Sequence, residues 1–227
     1  MKQRTKEAER HIDAVLRALD VLDCFLYQPR LSIKELIDQT GLTRSRVMRI
    51  MGTLEYRGYL IQDPVSRSYL LGNRAAGLGK SFERVNNAEV LVRPVLKYLV
   101  EETGESATFY VADGVERVAL VREEGTHAIR LSIFEGQRTP IHAGASGKVL
   151  LAFGDPDRLR TIISKNLLKP ITSQTITNPD KLEAEINEVR TRGYAISRGE
   201  NIRDSHAIAA PVFNYEKKLV GAIGIAG

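Results

Sequence analysis

Apolar residues recur every three or four positions through the first third of the chain, a period that predicts helices. Between Arg10 and Tyr27 the stripe is Ile12, Val15, Leu16, Leu19, Leu22 and Leu26, and Pro29 follows it. Ser32 is placed to cap a second helix, with Glu35 as its capping-box partner and Ile33, Leu36 and Ile37 as its apolar side. Gly41 supplies the left-handed exit. Thr43 then caps a third helix that runs to near Gly58, with Val47, Ile50, Met51 and Leu54 facing inward. Its outward side carries Ser45, Arg49 and Gly52, flanked by Arg46 and Thr53, with Arg44 near the N-terminal end. Two short helices joined through one glycine, the second long and basic, form a helix-turn-helix whose outer face suits a DNA major groove. Arginine there can grip guanine or a phosphate. From Tyr59 to Gly72, two β-rich runs flank Asp63-Pro64-Val65-Ser66, which predicts a hairpin serving as a wing. Arg67, near its tip, is placed to reach a phosphate or the minor groove. A helical protein-interaction module is the competing reading of this segment.

Beyond the wing, 73–85 reads as a helix leading away, and 89–102 as a second one with Val92, Val95, Leu96, Leu99 and Val100 apolar. The division expected is a DNA-binding domain over 1–74, a linker helix over 75–88 and a second domain over 89–227. After Gly104 the period shortens to that of strands. Ser106–Ala112 and Val115–Arg122 flank the tight-turn pair Asp113-Gly114, and Ile129–Ile133 reads as another strand. Ala145–Ala152 is helical in pattern, and a further helix is framed by Asn178, Pro179 and Gly193. Strands over Tyr194–Arg198, Ala207–Phe213 and Leu219–Ile225 close the chain. Helices and strands that do not strictly alternate indicate an α+β domain.

Composition narrows the function classes. The 227 residues carry 33 Lys and Arg against 28 Asp and Glu; of these, 13 and 9 fall in residues 1–75, so the basic excess lies in the first third. That excess fits contact with a polyanion there, and equally a mildly basic surface. No apolar run reaches the roughly 18 residues of a membrane span, and no signal peptide is expected at the charged N-terminus. A single cysteine, Cys24, fits a reducing cytoplasm. No catalytic motif is found, and neither a metal ion nor a cofactor is expected, although His142, Glu200, Asp204 and His206 could converge. In Gly144-Ala145-Ser146-Gly147, small residues before a helix leave backbone N–H groups able to hold an anion. This is not a nucleotide P-loop, since position 142 holds His where that motif needs glycine.

Two stretches resemble the IclR family of bacterial regulators. The first is Leu42 to Glu55 with Gly58-Tyr59 and Tyr69-Leu70-Leu71-Gly72; the second is Gly136 to Ala152, joined by Ile208-Ala209-Ala210-Pro211-Val212. The resemblance covers nearly the whole chain. It implies a winged helix-turn-helix followed by a GAF-like mixed α/β domain that binds a small carboxylate or aromatic effector. Thr43, Arg44, Ser45, Arg46, Arg49 and Arg67 are then the DNA contacts, and Arg46 stands where the family often has a small hydroxyl residue. The implied effector contacts are Ala145, Ser146, Gly147, Ser197, Ala207, Gly224 and Ala226. Gly224 and Ala226 replace a serine pair found in relatives that bind small acids, so a roomier, less polar pocket is expected, suited to a larger or more aromatic ligand. Asp204 stands where glycine is usual, which predicts a differently shaped loop. Relatives continue past the last strand, so truncation at Gly227 is expected. The partners implied are double-stranded operator DNA, a small-molecule effector and further copies of the chain, as homodimer or homotetramer through the first or the linker helix. An enzyme built on the α+β domain and a ligand-independent DNA binder are the alternatives.

Overall fold

The computed structural model describes residues 11–85, 88–127 and 133–227. The chain divides into two compact units, Met1–Asn86 and Asn87–Gly227. The first holds α1 (Asp13–Tyr27), α2 (Ile33–Thr40), α3 (Arg44–Tyr56), β1 (Leu60–Gln62), β2 (Tyr69–Leu71) and α4 (Asn73–Val85). The capping box at α2 is complete. Glu35 N–H donates to Ser32 Oγ at 3.3 Å, and Ser32 N–H donates to the Glu35 carboxylate at 2.7 Å. Gly41 turns the chain out of α2 at φ +66°, a left-handed geometry that costs glycine little. Val21, Phe25, Leu36, Val47, Met51 and Leu60 form the core of this unit. β1 and β2 pair antiparallel, and Leu31 bridges Tyr69 beside them.

The buried face of α1 is not the one its apolar spacing predicts. Val21 and Phe25 enter the core, while Ile12, Val15, Leu16, Leu19 and Leu26 stay exposed. At about 100° per residue, Val21 and Phe25 project roughly 130° round the helix from the centre of the predicted stripe, of which Leu22, at its edge, also packs on this core. α1 therefore has two apolar faces, and α2 and α3 cover the smaller one.

The second unit is built on a six-stranded sheet, ordered β5-β4-β3-β8-β7-β6 and antiparallel at every pairing. Its strands are β3 (Ser106–Asp113), β4 (Glu116–Glu123), β5 (Arg138–Pro140), β6 (Ala195–Arg198), β7 (His206–Phe213) and β8 (Leu219–Ala226). On one face lies α5 (Ala88–Thr103), whose Val92, Leu96 and Val100 pack on Ala107, Phe109 and Val121. On the other lie α6 (Ala145–Phe153), α7 (Pro156–Ser164) and α8 (Pro179–Arg192), with Val149, Leu150, Leu182 and Ile186 meeting Tyr110, Ala209 and Ala222. Val95, expected on the apolar side of α5, is exposed.

Two elements of this unit are absent from the sequence expectation. α7 is announced by Asp155, which accepts from Asp157 N–H, and by Pro156 in its first turn, the same punctuation as Asn178-Pro179 before α8. β5 is three residues inside a motif read as loop. The strand expected over Ile129–Ile133 lies, but for Ile133, outside the described residues.

Candidate DNA-binding face and effector cavity

α3 presents two sides. Val47, Met51 and Leu54 are buried, whereas Arg44, Ser45, Arg46 and Arg49 are exposed. Thr43 occupies the N-cap position, but its side chain makes no capping bond. Arg46 Nη2 lies 3.9 Å from the Asp13 carboxylate of α1, with both side chains more than half exposed, so water screens the attraction. A methyl group added at Gly52 would meet nothing within 4 Å, so no packing inside this unit requires a glycine there. The wing turn is organised by Asp63, which accepts from Val65 and Ser66 N–H and pairs with Arg30 at 2.7 Å. The Arg30 hydrogen bond, with those two amides, holds the Asp63 carboxyl well below the usual carboxylate range. Arg67 sits exposed beside this turn at φ +58°.

The second unit contains a cavity on the α6 face of the sheet. Of the residues the resemblance assigns to an effector, Ala145, Ser146, Ser197, Ala207, Gly224 and Ala226 line it. Gly147 does not. A methyl group on Gly147 would fall 2.0 Å from the Ile141 carbonyl oxygen and 2.9 Å from Arg117 Nη1; at Gly144, with φ +93°, it would fall 2.9 Å from the same nitrogen. These glycines are therefore dictated by close approach to the 141–143 backbone and to a guanidinium, which the loop sequence does not reveal.

Arg117 and Arg122 are the residues that sequence reasoning missed. Both lie on β4, both line the cavity, and both are buried. Five positions apart on a regular strand, they would face opposite sides of the sheet. A bulge prevents this. Tyr110 pairs with Ala119 but Phe109 pairs with Val121, so Leu120 is the extra residue and the alternation is reset. Arg117, Ala119 and Arg122 thus share the cavity side, while Val121 packs beneath α5. Arg117 donates through Nη1 to the Ala143 carbonyl and lies over the Tyr110 ring, 5.3 Å from its centre. Burial is the main influence on its ionisation and lowers its pKa; Tyr110 and Glu200 act in the opposite direction. Arg122 donates to Ser106 Oγ at 3.2 Å.

The floor beside α6 is fastened by a buried ion pair. Lys148, 2% exposed, donates to Glu200 Oε1 at 2.6 Å, to Glu185 Oε1 at 3.1 Å and to the Ile196 carbonyl at 2.6 Å. The second Glu200 oxygen accepts from Gly144 N–H at 3.1 Å. One of the backbone donors expected to hold an anion is therefore already engaged. His142 is buried and its Nε2 bonds the Lys169 carbonyl at 3.0 Å. Among the described residues, no three His, Cys, Asp or Glu side chains gather as a metal ion would need.

The expected loss of polar groups is confined to one wall of the cavity. The Gly224 and Ala226 wall lacks donors, but two arginines with Ser106, Thr108, Ser146 and Ser197 replace them from other elements. The space left between these side chains is small, about 50 Å³. Asp204 takes up φ +59°, the left-handed geometry in which glycine is at ease and Asp is tolerated.

A helix-turn-helix with exposed arginines and a wing, carried on one chain with a sheet-walled cavity, defines a DNA-binding regulator with a sensing domain. Comparison with known proteins gives the family. The profile for the IclR helix-turn-helix domain matches residues 14–64, and that for the bacterial transcriptional regulator IclR C-terminal region matches residues 83–227. The chain belongs to the IclR family of transcriptional regulators. It is similar to the HTH-type transcriptional regulator KipR of Bacillus subtilis (strain 168), 33% identical over 213 residues that cover 94% of this chain and 85% of KipR. The IclR transcriptional regulator of Alicyclobacillus acidocaldarius has the same fold, with a TM-score of 0.79 at 25% identity over 96% of this chain and 88% of that one. So does an IclR homologue from Microbacterium hydrocarbonoxydans complexed with 4-hydroxybenzoate, with a TM-score of 0.78 at 22% identity over 94% and 88%. Among the described residues no helix is long and apolar enough to cross a membrane.

Proposed function

We propose that this chain binds operator DNA as a homodimer, or as a pair of dimers, and that a small acid in the cavity of the second unit changes its operator affinity. The observation that carries this reading is one recognition helix whose outer side holds Arg44, Ser45 and Arg49 with no ion pair to the two arginines among the described residues. Thr43, Arg46 and Arg67 extend that face to the phosphates. The exposed apolar ridge of α1, from Ile12 to Leu26, is the surface we assign to a second copy. Two half-sites then lie about one helical turn of DNA apart, or a multiple of it. The effector acts by binding one arrangement of the two winged units better than the other, and its effect is limited to that difference in affinity. We read the chain as non-catalytic and as working in the cytoplasm beside the DNA.

The test is a mobility shift with DNA from the region upstream of the protein's own gene, repeated at several salt concentrations. Specific binding that weakens steeply with salt is expected. Arg49→Ala should weaken operator binding by about 1–3 kcal/mol, roughly 5- to 150-fold, and leave effector binding intact. Equal loss of both would make Arg49 a structural residue, and binding no better than to random DNA would overturn the proposal.

A further inference from the structure

The outer side of α3 carries more than its arginines. At about 100° per residue, Ser45, Arg49, Gly52 and Tyr56 fall within roughly 60° of one another, on the side opposite the buried Val47, Met51 and Leu54. All four are exposed. Glycine in the middle of a helix lowers the folded-to-unfolded ratio about fivefold relative to alanine. Gly52 lies well inside this 13-residue helix, and a methyl group there would meet nothing within 4 Å. No described neighbour in the first unit therefore gains from its being a glycine. Gly77 and Gly79 of α4 are equally open, so an open glycine alone marks no surface. Gly52 differs in its place, between Arg49 and Tyr56 on one continuous exposed face.

Tyr56 is a second, independent observation. It is 88% exposed, and among the described residues no hydrogen bond engages its hydroxyl. The hydroxyl of Thr53, on the flank of the same face, is already given to the Arg49 carbonyl at 2.8 Å. From Ser45 to Tyr56 the face is about 16 Å long at about 1.5 Å per residue, the span of roughly five base pairs. A helix with its side chains is about 10–12 Å across, and the major groove is about 12 Å wide and about 8.5 Å deep. A long side chain in the middle of the leading face would hold the backbone away from the base edges. A glycine there lets the helix sink until its backbone meets the DNA, which extends the reach of Arg49 one turn earlier. A straight helix leaves a curving groove at its end, and there the long Tyr56 side chain comes to the groove wall, where tyrosine hydroxyls bond phosphates.

We propose that Gly52 is the point at which α3 comes closest to the operator, and that Tyr56 donates its hydroxyl to a phosphate one turn further on. Gly52 is a positioning residue, since its missing side chain sets the depth from which Arg49 reads a base edge. This deepens the regulator reading and rests on it. Alanine at position 52 is then better for the folded chain and worse for the specific complex, whereas a role in the fold would move both in the same direction. Binding to random DNA depends on phosphate contacts made without base readout, and is insensitive to how deeply the helix sits.

Fluorescence anisotropy of the full chain with a duplex from the region upstream of its own gene, and with a random duplex of equal length, tests this beside calorimetric melts without DNA. Gly52→Ala should raise the melting temperature of the first unit by about 4–8 °C. It should weaken operator binding about tenfold and leave binding to random DNA within about twofold. Gly52→Leu should weaken operator binding further, by about fiftyfold or more. Tyr56→Phe removes only the hydroxyl, and should weaken operator binding about three- to tenfold without moving the melt. Arg49→Ala should cost less affinity in the Gly52→Ala background than in the wild-type chain, because part of its reach is already lost. Unchanged operator affinity in Gly52→Ala or Tyr56→Phe, parallel losses on operator and random DNA, or a lower melting temperature in Gly52→Ala would overturn the inference and leave the regulator reading standing. A wild-type chain that prefers no duplex over random DNA would overturn both.

Discussion

Lys148→Met is the substitution whose cost the structure sets most directly. Lys148 is 2% exposed and Glu200 8%, at 2.6 Å from each other. Without the ammonium, Glu200 keeps a single protein donor, Gly144 N–H at 3.1 Å, for a carboxylate largely shielded from water. Breaking a buried pair from one side costs about 3–5 kcal/mol. Glu185 adds little to this sum, because it is 25% exposed and also lies 3.7 Å from Arg192 Nη2. At about 2–4 °C per kcal/mol for a chain of this length, the melting temperature of the second unit should fall by roughly 10 °C. Glu200→Gln should cost less, about 1–3 kcal/mol, since Lys148 retains Glu185 and the Ile196 carbonyl and the amide oxygen still accepts from Gly144. The double variant should be more stable than the sum of the two losses implies, because the charge stranded by one substitution is removed by the other. Differential scanning calorimetry of the full chain, which separates the transitions of the two units, measures all three. A loss below about 1 kcal/mol for Lys148→Met, or strict additivity in the double variant, would refute the reasoning.

Other expectations follow from single sites. Gly147→Ala places a methyl group 2.0 Å from the Ile141 carbonyl oxygen, so it should destabilise the second unit by about 2 kcal/mol or more in urea unfolding. Burial lowers the His142 pKa below its ordinary 6.5, an effect that its bond to the Lys169 carbonyl opposes only in part. As pH falls through that ordinary value, the unfolded chain takes up a proton that the folded domain resists. Stability should therefore be full near neutral pH and decline as pH drops below about 6.5 towards the folded value. His142→Gln should flatten this decline in melts recorded between pH 7.5 and 5, and an unchanged slope would assign it to another group.

What the sequence showed of this molecule depends on how local each feature is. The capping box at Ser32 and Glu35, the exit at Gly41 and the frame of α8 are set by residues a few positions apart, and each is where its spacing put it. The buried face of α1 was not legible. Two apolar sides compete there, and only the placement of α2 and α3 decides between them. The small-residue loop before α6 was recognisable by resemblance, and six of the seven assigned residues line the cavity. Its physical basis was hidden, because Gly144 and Gly147 answer to Arg117, about thirty positions earlier and on another element. Nothing local marks Arg117 and Arg122 as cavity residues. Their spacing of five argues against a shared face until the pairing of β3 with β4 shows where the extra residue sits.

That extra residue bears on how the sensing wall can change over evolutionary time. Among the four positions between the two arginines, Leu120 and Val121 both face α5, and loss of either would leave every other side chain of β4 on its present face, since the strand would simply resume its regular alternation. Loss of Val118 or Ala119 would instead turn Leu120 from the layer under α5 to the cavity side. A single deleted codon can thus straighten this strand with its chemistry intact, or rewrite the lining without a single base substitution, depending only on which of four neighbouring codons is lost.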